Sequence, residues 1–421
     1  MRVWWESGGA ATAATVWRLR LRLDEDENLQ GSGQGGAPIT LVTNTCTVRL
    51  PVAAAEPHPD LLALAALLIV RPWTRTRISF DRPISPTLAE GLAEFFKLDG
   101  GPVDDALPAR TGEGVLGLSY SSGVDSIATA ELLDPATPYL HLQRVTHPRV
   151  PNRATHVRAD QIARLVRQAG DRGRNVFITE SDLEYLCLPW PQYPTWPALA
   201  LGAVFLADHL RLGGIAFGTV LESAYLHGGR RYTGGGAGPW TRLLETVGLA
   251  VCRPVTGLTE VGTLTVAARS ELADLAQSCL RGAAGRPCLA CAKCARKELL
   301  AATLEGRGIH PRLRERLQPG EPAAKDLEGT PPLHMQNCLE YVVARRDDLD
   351  GTLLEQLAKR MDVTVESTSW NERYYPRALQ DEVPEPWRAD IVRRLRNHVP
   401  WMTDQDVALL ESWNGLNQLP W

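Results

Sequence analysis

The chain has 421 residues, which is long enough for two or three domains, each with a core of its own. Apolar residues make up 44% and charged residues 22%, and the formal net charge of −4 excludes a strong overall attraction to nucleic acid or an anionic membrane. The N-terminal residues lack the basic and apolar segments of a secretory signal. The longest apolar stretches, 61–70 and 199–210, are shorter than the ~20 residues that a bilayer needs. We therefore expect a cytosolic protein without a membrane partner.

The first region, residues 1–110, is predicted to be an N-terminal α+β domain. Two alternating segments, "VWRLRLRL" and "ITLVTNTCTVRL", indicate a hairpin or a small sheet. Helices are predicted over 60–70 and 85–96, the second with Ser85 as its N-cap and Pro86 as its first residue.

The central region, residues 111–310, alternates strands with helices. Strands are predicted for "VLGLSY", "YLHLQRV", "NVFITE" and "GGIAFG", a helical face for Ile162, Leu165, Val166 and Ala169 with a stop at Gly170, and an apolar helix for 197–210. This alternation predicts an α/β fold with a doubly wound parallel sheet, which binds ligands at the carboxyl ends of its strands.

A helical C-terminal region, residues 330–421, follows a joint at 318–332 that is rich in proline and charge. Its apolar residues recur at helical spacing, in the sets Leu353, Leu357, Met361 and Ile391, Leu395.

A turn of small residues, "SSGVDS" at 121–126, joins the first central strand to the next helix. Backbone N–H groups at a helix start have no partner within the helix, and the helix dipole is positive there, so the turn predicts a phosphate site. Asp125 fits such a site if Mg²⁺ bridges its carboxylate and the phosphate. The alternative is an ordinary helix N-terminus with capping residues.

Four of the eight cysteines, Cys279, Cys288, Cys291 and Cys294, form a C-x8-C-x2-C-x2-C array. Four thiolates complete the tetrahedral shell of Zn²⁺, so this spacing favours a structural zinc site. An iron–sulfur cluster, or a redox or metal-free group, is the alternative.

These two motifs carry a resemblance to a known superfamily. The loop "SSGVDS" resembles the S-G-G-x-D-S loop of the PP-loop ATP pyrophosphatases, with Ser122 where the first glycine is usual. The cysteine array resembles that of 7-cyano-7-deazaguanine synthases. The order of the loop and C-x-x-C-x-K-C is similar to that of the UDP-muramoyl-L-alanyl-L-glutamate epimerase family, which also has an extra N-terminal domain. The resemblance covers about residues 112–308 and implies an adenine nucleotide alpha hydrolase-like fold.

The resemblance implies an enzyme that uses Mg·ATP to adenylate a small-molecule or peptide carboxylate and releases pyrophosphate. Ser121, Ser122, Gly123 and Ser126 would hold the pyrophosphate and Asp125 the Mg²⁺, with catalytic roles for Asp125 and Ser126. The acyl-adenylate would then undergo amidation or nitrile formation, as in a ligase. The alternative is epimerisation of a peptide's terminal residue. An alternative of another class is a non-catalytic nucleotide-binding protein.

The segment 215–240 leaves the fourth predicted strand and opens into a glycine-rich loop. Glu222 is a candidate Mg²⁺ ligand or catalytic base, and Arg230 and Arg231 are candidates to bind a phosphate or carboxylate. The loop is either a lid over the site or a solvated loop with ordinary surface charges.

The remaining candidates have two interpretations each. Cys187 is either a nucleophile or a buried small residue, and His141 is either near the adenine or a core histidine. Lys293, Arg296 and Lys297 either attract phosphate or form a solvated helix face. No arginine-rich aromatic surface argues for nucleic acid. The oligomeric state is open, a homodimer included.

Overall fold

A computed structural model of the protein describes residues 1–8, 14–25, 27–33, 36–145, 158–190 and 192–418. The strands are β1 (Arg2–Gly8), β2 (Val16–Arg22), β3 (Gln30–Ser32), β4 (Pro38–Leu41), β5 (Thr45–Arg49), β6 (Arg77–Ile84), β7 (Asp99–Val103), β8 (Val115–Ser119), β9 (Tyr139–Arg144), β10 (Val176–Ser181), β11 (Cys187–Leu188), β12 (Leu212–Ala216) and β13 (Ala250–Cys252).

The α-helices are α1 (Pro59–Val70), α2 (Pro86–Phe96), α3 (Val124–Glu131), α4 (Ala159–Asp171), α5 (Leu201–Leu206), α6 (Leu221–Ala224), α7 (Pro239–Thr246), α8 (Glu260–Ala267), α9 (Ala292–Leu304), α10 (Pro311–Arg314), α11 (Gln336–Val343), α12 (Leu353–Ala358), α13 (Pro376–Glu382), α14 (Glu385–Leu395), α15 (Asp404–Ser412) and α16 (Gly415–Gln418). Short 3-10 helices cover Arg71–Trp73, Leu183–Tyr185, Trp196–Ala200, Ala273–Leu275 and Glu366–Glu372.

The described strands form a large mixed sheet and a small one. The large sheet has the order β13-β12-β8-β9-β10-β5-β2-β1-β6-β7, and the small sheet has the order β11-β4-β3. In the large sheet, pairing is parallel from β13 to β10, antiparallel from β10 to β1, and parallel again from β1 to β7. The protein is therefore a mixed α/β structure with a mostly parallel sheet.

The strand order reverses direction between β8 and β12. In chain order, β8, β9 and β10 follow one another toward one side of β8, whereas β12 and β13 lie on its other side. The five parallel strands thus have the order 3-2-1-4-5, which creates a topological switch point beside the first strand. The loop 121–126 leaves the sheet at this strand.

Local sequence patterns explain several of these elements. In β2, the buried Trp17, Leu19 and Leu21 alternate with arginines, because successive strand side chains point to opposite faces. The Ser85 hydroxyl accepts the backbone N–H of Leu88, which confirms the predicted N-cap of α2. The predicted helices near 60–70 and 162–170 and the four predicted central strands are also confirmed.

Two local predictions are wrong in extent. The apolar segment 197–210 forms a 3-10 helix, Trp196–Ala200, followed by the short helix α5 rather than one long helix. The segment 39–50 is split between two sheets: β5 pairs with β2, but β4 pairs with β3 and β11. Periodicity marked both segments as apolar, but it could not reveal where each would change direction.

The chain divides into two compact units. The first unit, Met1–Ser121, Ala136–Ala216 and Ala237–Cys252, contains both sheets. The second unit, Ser122–Pro135, Phe217–Gly236 and Arg253–Trp421, contains α3, α6 and the helices from α8 onward. The three predicted regions stay a prediction, but β2 and β5 belong to the same sheet as β8 to β10, which a boundary near residue 110 does not anticipate.

The core of the second unit contains the predicted apolar residues of the C-terminal region. Leu357 and Met361 are buried in one cluster with Leu299 and Leu339. A second cluster combines Leu221, Tyr225 and Leu226 of the segment after β12 with residues such as Trp370 and Trp413. The C-terminal helices are thus an integral part of this unit. In the described part of the chain, none of the helices has the length and apolar character that crossing a membrane requires.

Candidate functional site

The loop after β8 reaches α3 through a left-handed residue. Ser122 has φ +57°, Gly123 is the N-cap of α3, and the helix begins at Val124. The Ser122 hydroxyl is buried and donates to the carbonyl of Leu275 at 2.8 Å. A non-glycine residue at this φ carries strain, which the interior hydrogen bond offsets in part.

The hydroxyl groups of this loop serve internal hydrogen bonds. Ser126 Oγ donates to the carbonyl of Gly123 at 3.0 Å, and the backbone N–H of Val124 donates to Ser278 Oγ at 3.4 Å. Ser121 is the last residue of its segment in the first unit, and Ser122 begins the second unit. The assignment of Ser121, Ser122, Gly123 and Ser126 to a pyrophosphate therefore stays a prediction.

Asp125 lies in the first turn of α3 with its carboxylate held from two sides. Its Oδ1 accepts the hydroxyl of Thr263 at 2.9 Å and the ammonium of Lys297 at 3.1 Å. The side chain is 24% exposed, so the carboxylate is oriented and still reachable from solvent. Gly218 packs against this turn, because a Cβ at Gly218 would lie 2.9 Å from the Asp125 carbonyl oxygen.

The Lys297 ammonium belongs to a network of buried charges. It also lies 3.4 Å from Glu260, which accepts from Arg296 at 2.8 and 3.2 Å, and Arg296 donates to Asp326 at 2.9 Å. Burial alone would raise the pKa of Glu260, but Lys297 and Arg296 outweigh it and lower that pKa to about 2. Burial alone would lower the pKa of Lys297, but Asp125 and Glu260 raise it. Both groups are therefore charged at neutral pH.

This network corrects one interpretation of the basic residues in α9. Arg296 and Lys297 do not form a solvated face, since their side chains are only 10% and 9% exposed and pair with buried carboxylates. Lys293 is exposed.

Glu222 is fully buried in α6. Its Oε1 accepts the N–H of Glu260 at 3.0 Å, the amide of Asn337 at 2.8 Å and the thiol of Cys338 at 3.4 Å. Its Oε2 is buried without a hydrogen-bond partner among the described residues. Desolvation, with a smaller contribution from Glu260, raises the pKa of Glu222 to about 7. In this arrangement Glu222 faces the protein interior, so its roles as Mg²⁺ ligand or base stay predictions.

The segment with Arg230 and Arg231 packs against the C-terminal residues of its unit. The N–H of Gly415 donates to the Arg230 carbonyl at 2.9 Å, and Arg231 forms an isolated bridge with Asn414. Arg231 is exposed and Arg230 half-buried. The contacts anchor the start of the glycine-rich loop, and the roles predicted for the two arginines stay predictions.

The four clustered cysteines converge as their spacing predicts. The Sγ atoms of Cys279, Cys288, Cys291 and Cys294 all lie within 4.8 Å of one another. Cys288 Sγ is 3.7 Å from Cys291 Sγ and 3.6 Å from Cys294 Sγ. Four sulfurs bound tetrahedrally at ~2.3 Å from one ion would be about 3.8 Å apart. The group could therefore hold a metal ion such as zinc.

The backbone around the cluster suits thiolates. The N–H of Cys288 donates to Cys279 Sγ at 3.4 Å, and the N–H of Ala290 donates to Cys288 Sγ at 3.5 Å. Cys291 is the N-cap of α9, so Cys294 lies in the first turn, where the helix dipole favours negative charge. Hydrogen bonds from Cys291 and Cys294 hold the pKa of Cys279 well below its ordinary value, and the contact with Cys279 raises the pKa of Cys294.

A cavity of about 310 Å³ lies within the second unit, between the cysteine cluster and the start of α3. Val124, Ser278, Cys294 and Lys297 contribute to its wall. The cavity thus borders the loop, the metal ligands and the lysine that binds Asp125.

The other candidates lie in the first unit. His141 is buried, with Nδ1 2.9 Å from the Tyr120 carbonyl, and its pKa is lowered by burial. Burial raises the pKa of Cys187 to about 12, which makes it a poor nucleophile at neutral pH. Both residues are placed as core residues.

Sequence reasoning missed the partners of Asp125 and Glu222. Thr263 and Asn337 are 138 and 115 positions away from the groups they contact. Only Lys297 had a local signal, since it follows Cys294 by three residues in the helix that begins at the cysteine cluster.

A family model described as a family of unknown function (DUF6395) matches residues 239–414, which is less than half of the chain. The matched segment includes the four cysteines, Glu260 and Lys297, and it begins after the loop 121–126 and Glu222. No curated protein and no solved structure matches the chain.

Proposed function

We propose that the protein is an ATP-dependent enzyme of the PP-loop type, which adenylates a substrate carboxylate and releases AMP and pyrophosphate in the overall reaction. The sheet supports this proposal through its order 3-2-1-4-5, because open parallel sheets bind ligands where the order reverses, and the loop 121–126 leaves the sheet there. The finer fold assignment, adenine nucleotide alpha hydrolase-like, is part of the same proposal.

The observation that carries the proposal is the placement of Asp125. A carboxylate in the first turn of the helix after the first strand is oriented by Lys297 and Thr263 and still partly exposed. All its side-chain hydrogen bonds to described residues use Oδ1, so Oδ2 can serve as a Mg²⁺ ligand. Mg²⁺ bound there would neutralise charge on the nucleotide phosphates.

The conformation of Ser122 also supports the comparison with the PP-loop. The superfamily has glycine at this position, and glycine adopts a left-handed φ without strain. Ser122 has φ +57° and turns its side chain toward Leu275. The loop therefore keeps a glycine-like backbone path despite the substitution.

The cysteine cluster fits zinc with a structural role. Four sulfur ligands fill a tetrahedral shell and leave no position for a substrate or water. We assign zinc, rather than an iron–sulfur cluster, because the four sulfur atoms lie at separations that suit one small ion. Arg230 and Arg231 remain candidates to bind a phosphate or carboxylate, and Glu222 remains a candidate Mg²⁺ ligand or base.

A second candidate function is nucleotide binding without turnover. It is favoured by the internal use of the Ser122 and Ser126 hydroxyls and of the Val124 N–H, which leaves the loop fewer donors to stabilise the charge that develops on pyrophosphate during cleavage. The acyl-adenylate then has two proposed fates, which are amidation by ammonia and epimerisation of a peptide terminus. AMP formation with and without ammonium, together with solvent deuterium uptake into the product, distinguishes these outcomes.

Calorimetric titration with Mg·ATP tests the proposed site. The wild-type protein is expected to bind Mg·ATP, and Asp125→Asn should weaken binding about tenfold or more, because a charged ligand to Mg²⁺ is lost. Glu131→Gln, at the opposite end of α3, is the matched control and should bind as the wild type does. Equal binding by Asp125→Asn and the wild type would contradict the assignment of Asp125.

A further inference from the structure

The cavity beside the cysteine cluster has both charged and apolar side chains on its wall. Lys297 and Lys293 lie on its wall together with Ser278. The Lys297 side chain is only 9% exposed, and its Nζ also contacts Asp125 at 3.1 Å. Lys293 has no ion pair within 4 Å among the described residues, so its charge is available to an anion.

Most of the remaining wall is apolar. It includes Leu264, Ala267, Pro287, Leu289 and Ala301. A ligand with a hydrocarbon body gains free energy when apolar side chains around a cavity remove it from water. A bare phosphate chain would leave this wall without a partner.

The acidic groups on the wall do not favour a cation. Asp274, Glu298 and Glu305 contribute to it, and both glutamates pair with Arg307, at 2.6 and 2.5 Å. The backbone N–H of Val124, at the start of α3, already donates to Ser278 Oγ. Among the described residues, Lys293 therefore has the charge without an ion-pair partner, whereas Lys297 is shared with Asp125 and Glu260.

From these observations we infer that the cavity receives the acid that is activated, a small monocarboxylate with an apolar body whose anion binds Lys293 and Lys297. The inference rests on the proposed function, because it assigns the second substrate of the same site. A carboxylate bound to Lys297 would lie next to Asp125, the proposed Mg²⁺ ligand. The cavity volume of about 310 Å³ is that of a pocket for a small ligand.

The chemical step balances without a further reactant. A carboxylate oxygen donates an electron pair to the α-phosphorus of ATP, and the bond from this phosphorus to the α,β-bridging oxygen breaks. Pyrophosphate leaves with that electron pair, and the acid becomes a mixed anhydride with AMP. Lys293 and Lys297 orient the attacking carboxylate.

Benzoate is the probe for the cavity, and benzylamine is its matched cation. Binding to the full chain is measured by saturation-transfer NMR without nucleotide. Benzoate is expected to bind and benzylamine not to bind. Lys293→Met removes an exposed charge, and Ala301→Phe fills the cavity, so each should weaken benzoate binding about tenfold or more. Leu304→Phe adds bulk to the same helix at a position that does not line the cavity, so it should bind benzoate normally.

Three results would overturn the inference. They are equal binding of benzylamine and benzoate, unchanged benzoate binding in Ala301→Phe, and displacement of benzoate by inorganic pyrophosphate with the same dependence on Lys293. The last result would make the cavity a phosphate site. A separate titration of the wild type with Mg·ATP keeps the two proposals apart. Benzoate binding without ATP binding contradicts only the proposed function, and ATP binding without benzoate binding contradicts only the cavity assignment.

Discussion

At Ser122, backbone strain and a buried hydrogen bond oppose each other. A left-handed φ costs a non-glycine residue about 1–2 kcal/mol, and a buried hydrogen bond contributes about 1 kcal/mol. The Ser122 hydroxyl donates to Leu275 while its φ is +57°. The two effects can be separated with two substitutions.

Ser122→Ala should lower the free energy of unfolding by about 1–2 kcal/mol, because it loses the hydrogen bond and keeps the strain. Ser122→Gly loses the same bond but also the strain, so it should be more stable than Ser122→Ala by about 1 kcal/mol. Urea unfolding of both variants and the wild type measures the difference. Equal stability of the two variants would contradict a left-handed backbone at this position.

Glu222 predicts a pH dependence of stability. An unfolded glutamate titrates near 4.5, whereas burial and Glu260 raise the pKa of Glu222 to about 7. Between these two pH values Glu222 is therefore protonated in the folded state, whereas it has lost its proton in the unfolded state. Stability from this group is complete below pH 4.5 and falls as the pH rises to about 7, by about 3 kcal/mol in all. Asn337, Cys338 and the charged Glu260 are the groups that face it.

Glu222→Gln should remove this part of the pH dependence, because glutamine stays neutral. Urea unfolding gives the free energy of unfolding of the variant and the wild type at pH 5 and at pH 8. The difference between variant and wild type should favour the variant more at pH 8 than at pH 5. The exposed Glu90→Gln is the control and should leave the pH dependence unchanged. A Glu222→Gln variant with the wild-type pH dependence would show that Glu222 is charged in the folded protein.

At the scale of the elements, α9 joins the cysteine cluster to the charged network. Cys294 and Lys297 are one turn apart on this helix, and Lys297 reaches Asp125 at the start of α3. A metal bound to Cys291 and Cys294 would fix the first turn of α9. It would thereby hold in place the start of the helix that carries Lys297.

The purified protein should contain about one zinc per chain, and removal by a chelator should lower its melting temperature by roughly 5–10 °C. Cobalt substitution should give the absorption bands of tetrahedral thiolate coordination. Cys291→Ser should lose the metal, whereas Cys187→Ala, outside the cluster, should retain it. Iron with acid-labile sulfide, or a metal content that Cys291→Ser does not change, would contradict the zinc assignment.

The sequence predicted those elements that depend on neighbours along the chain. The N-cap at Ser85 and the strand β8 follow from local hydrogen bonding and apolar pattern, and the cysteine cluster follows from short spacing. Local pattern could not predict that Lys297 would be buried, because its ion pair with Asp125 spans 172 positions. The same holds for Glu222, whose burial depends on residues of α11.

At the scale of the whole molecule, the large sheet joins strands from distant parts of the sequence. β5, a strand of the predicted N-terminal domain, pairs antiparallel with β10 of the central region. β1 pairs in parallel with β6, so the N-terminal strands continue the sheet that the central strands form. Period-two patterns identify strands but not their partners, so this joining had no sequence signal. The order of the five parallel strands nevertheless agrees with the expected α/β class.

The products formed from ATP test the central claim most directly. ATP labelled at the α-phosphate is incubated with Mg²⁺, the full chain and a set of small carboxylic acids, with Asp125→Asn as the inactive control. The account predicts AMP, or a mixed anhydride of AMP with an acid, together with an equal amount of pyrophosphate from the wild type and far less from Asp125→Asn. Formation of ADP and phosphate, or tight binding of Mg·ATP with no cleavage under any of these acids, would contradict it.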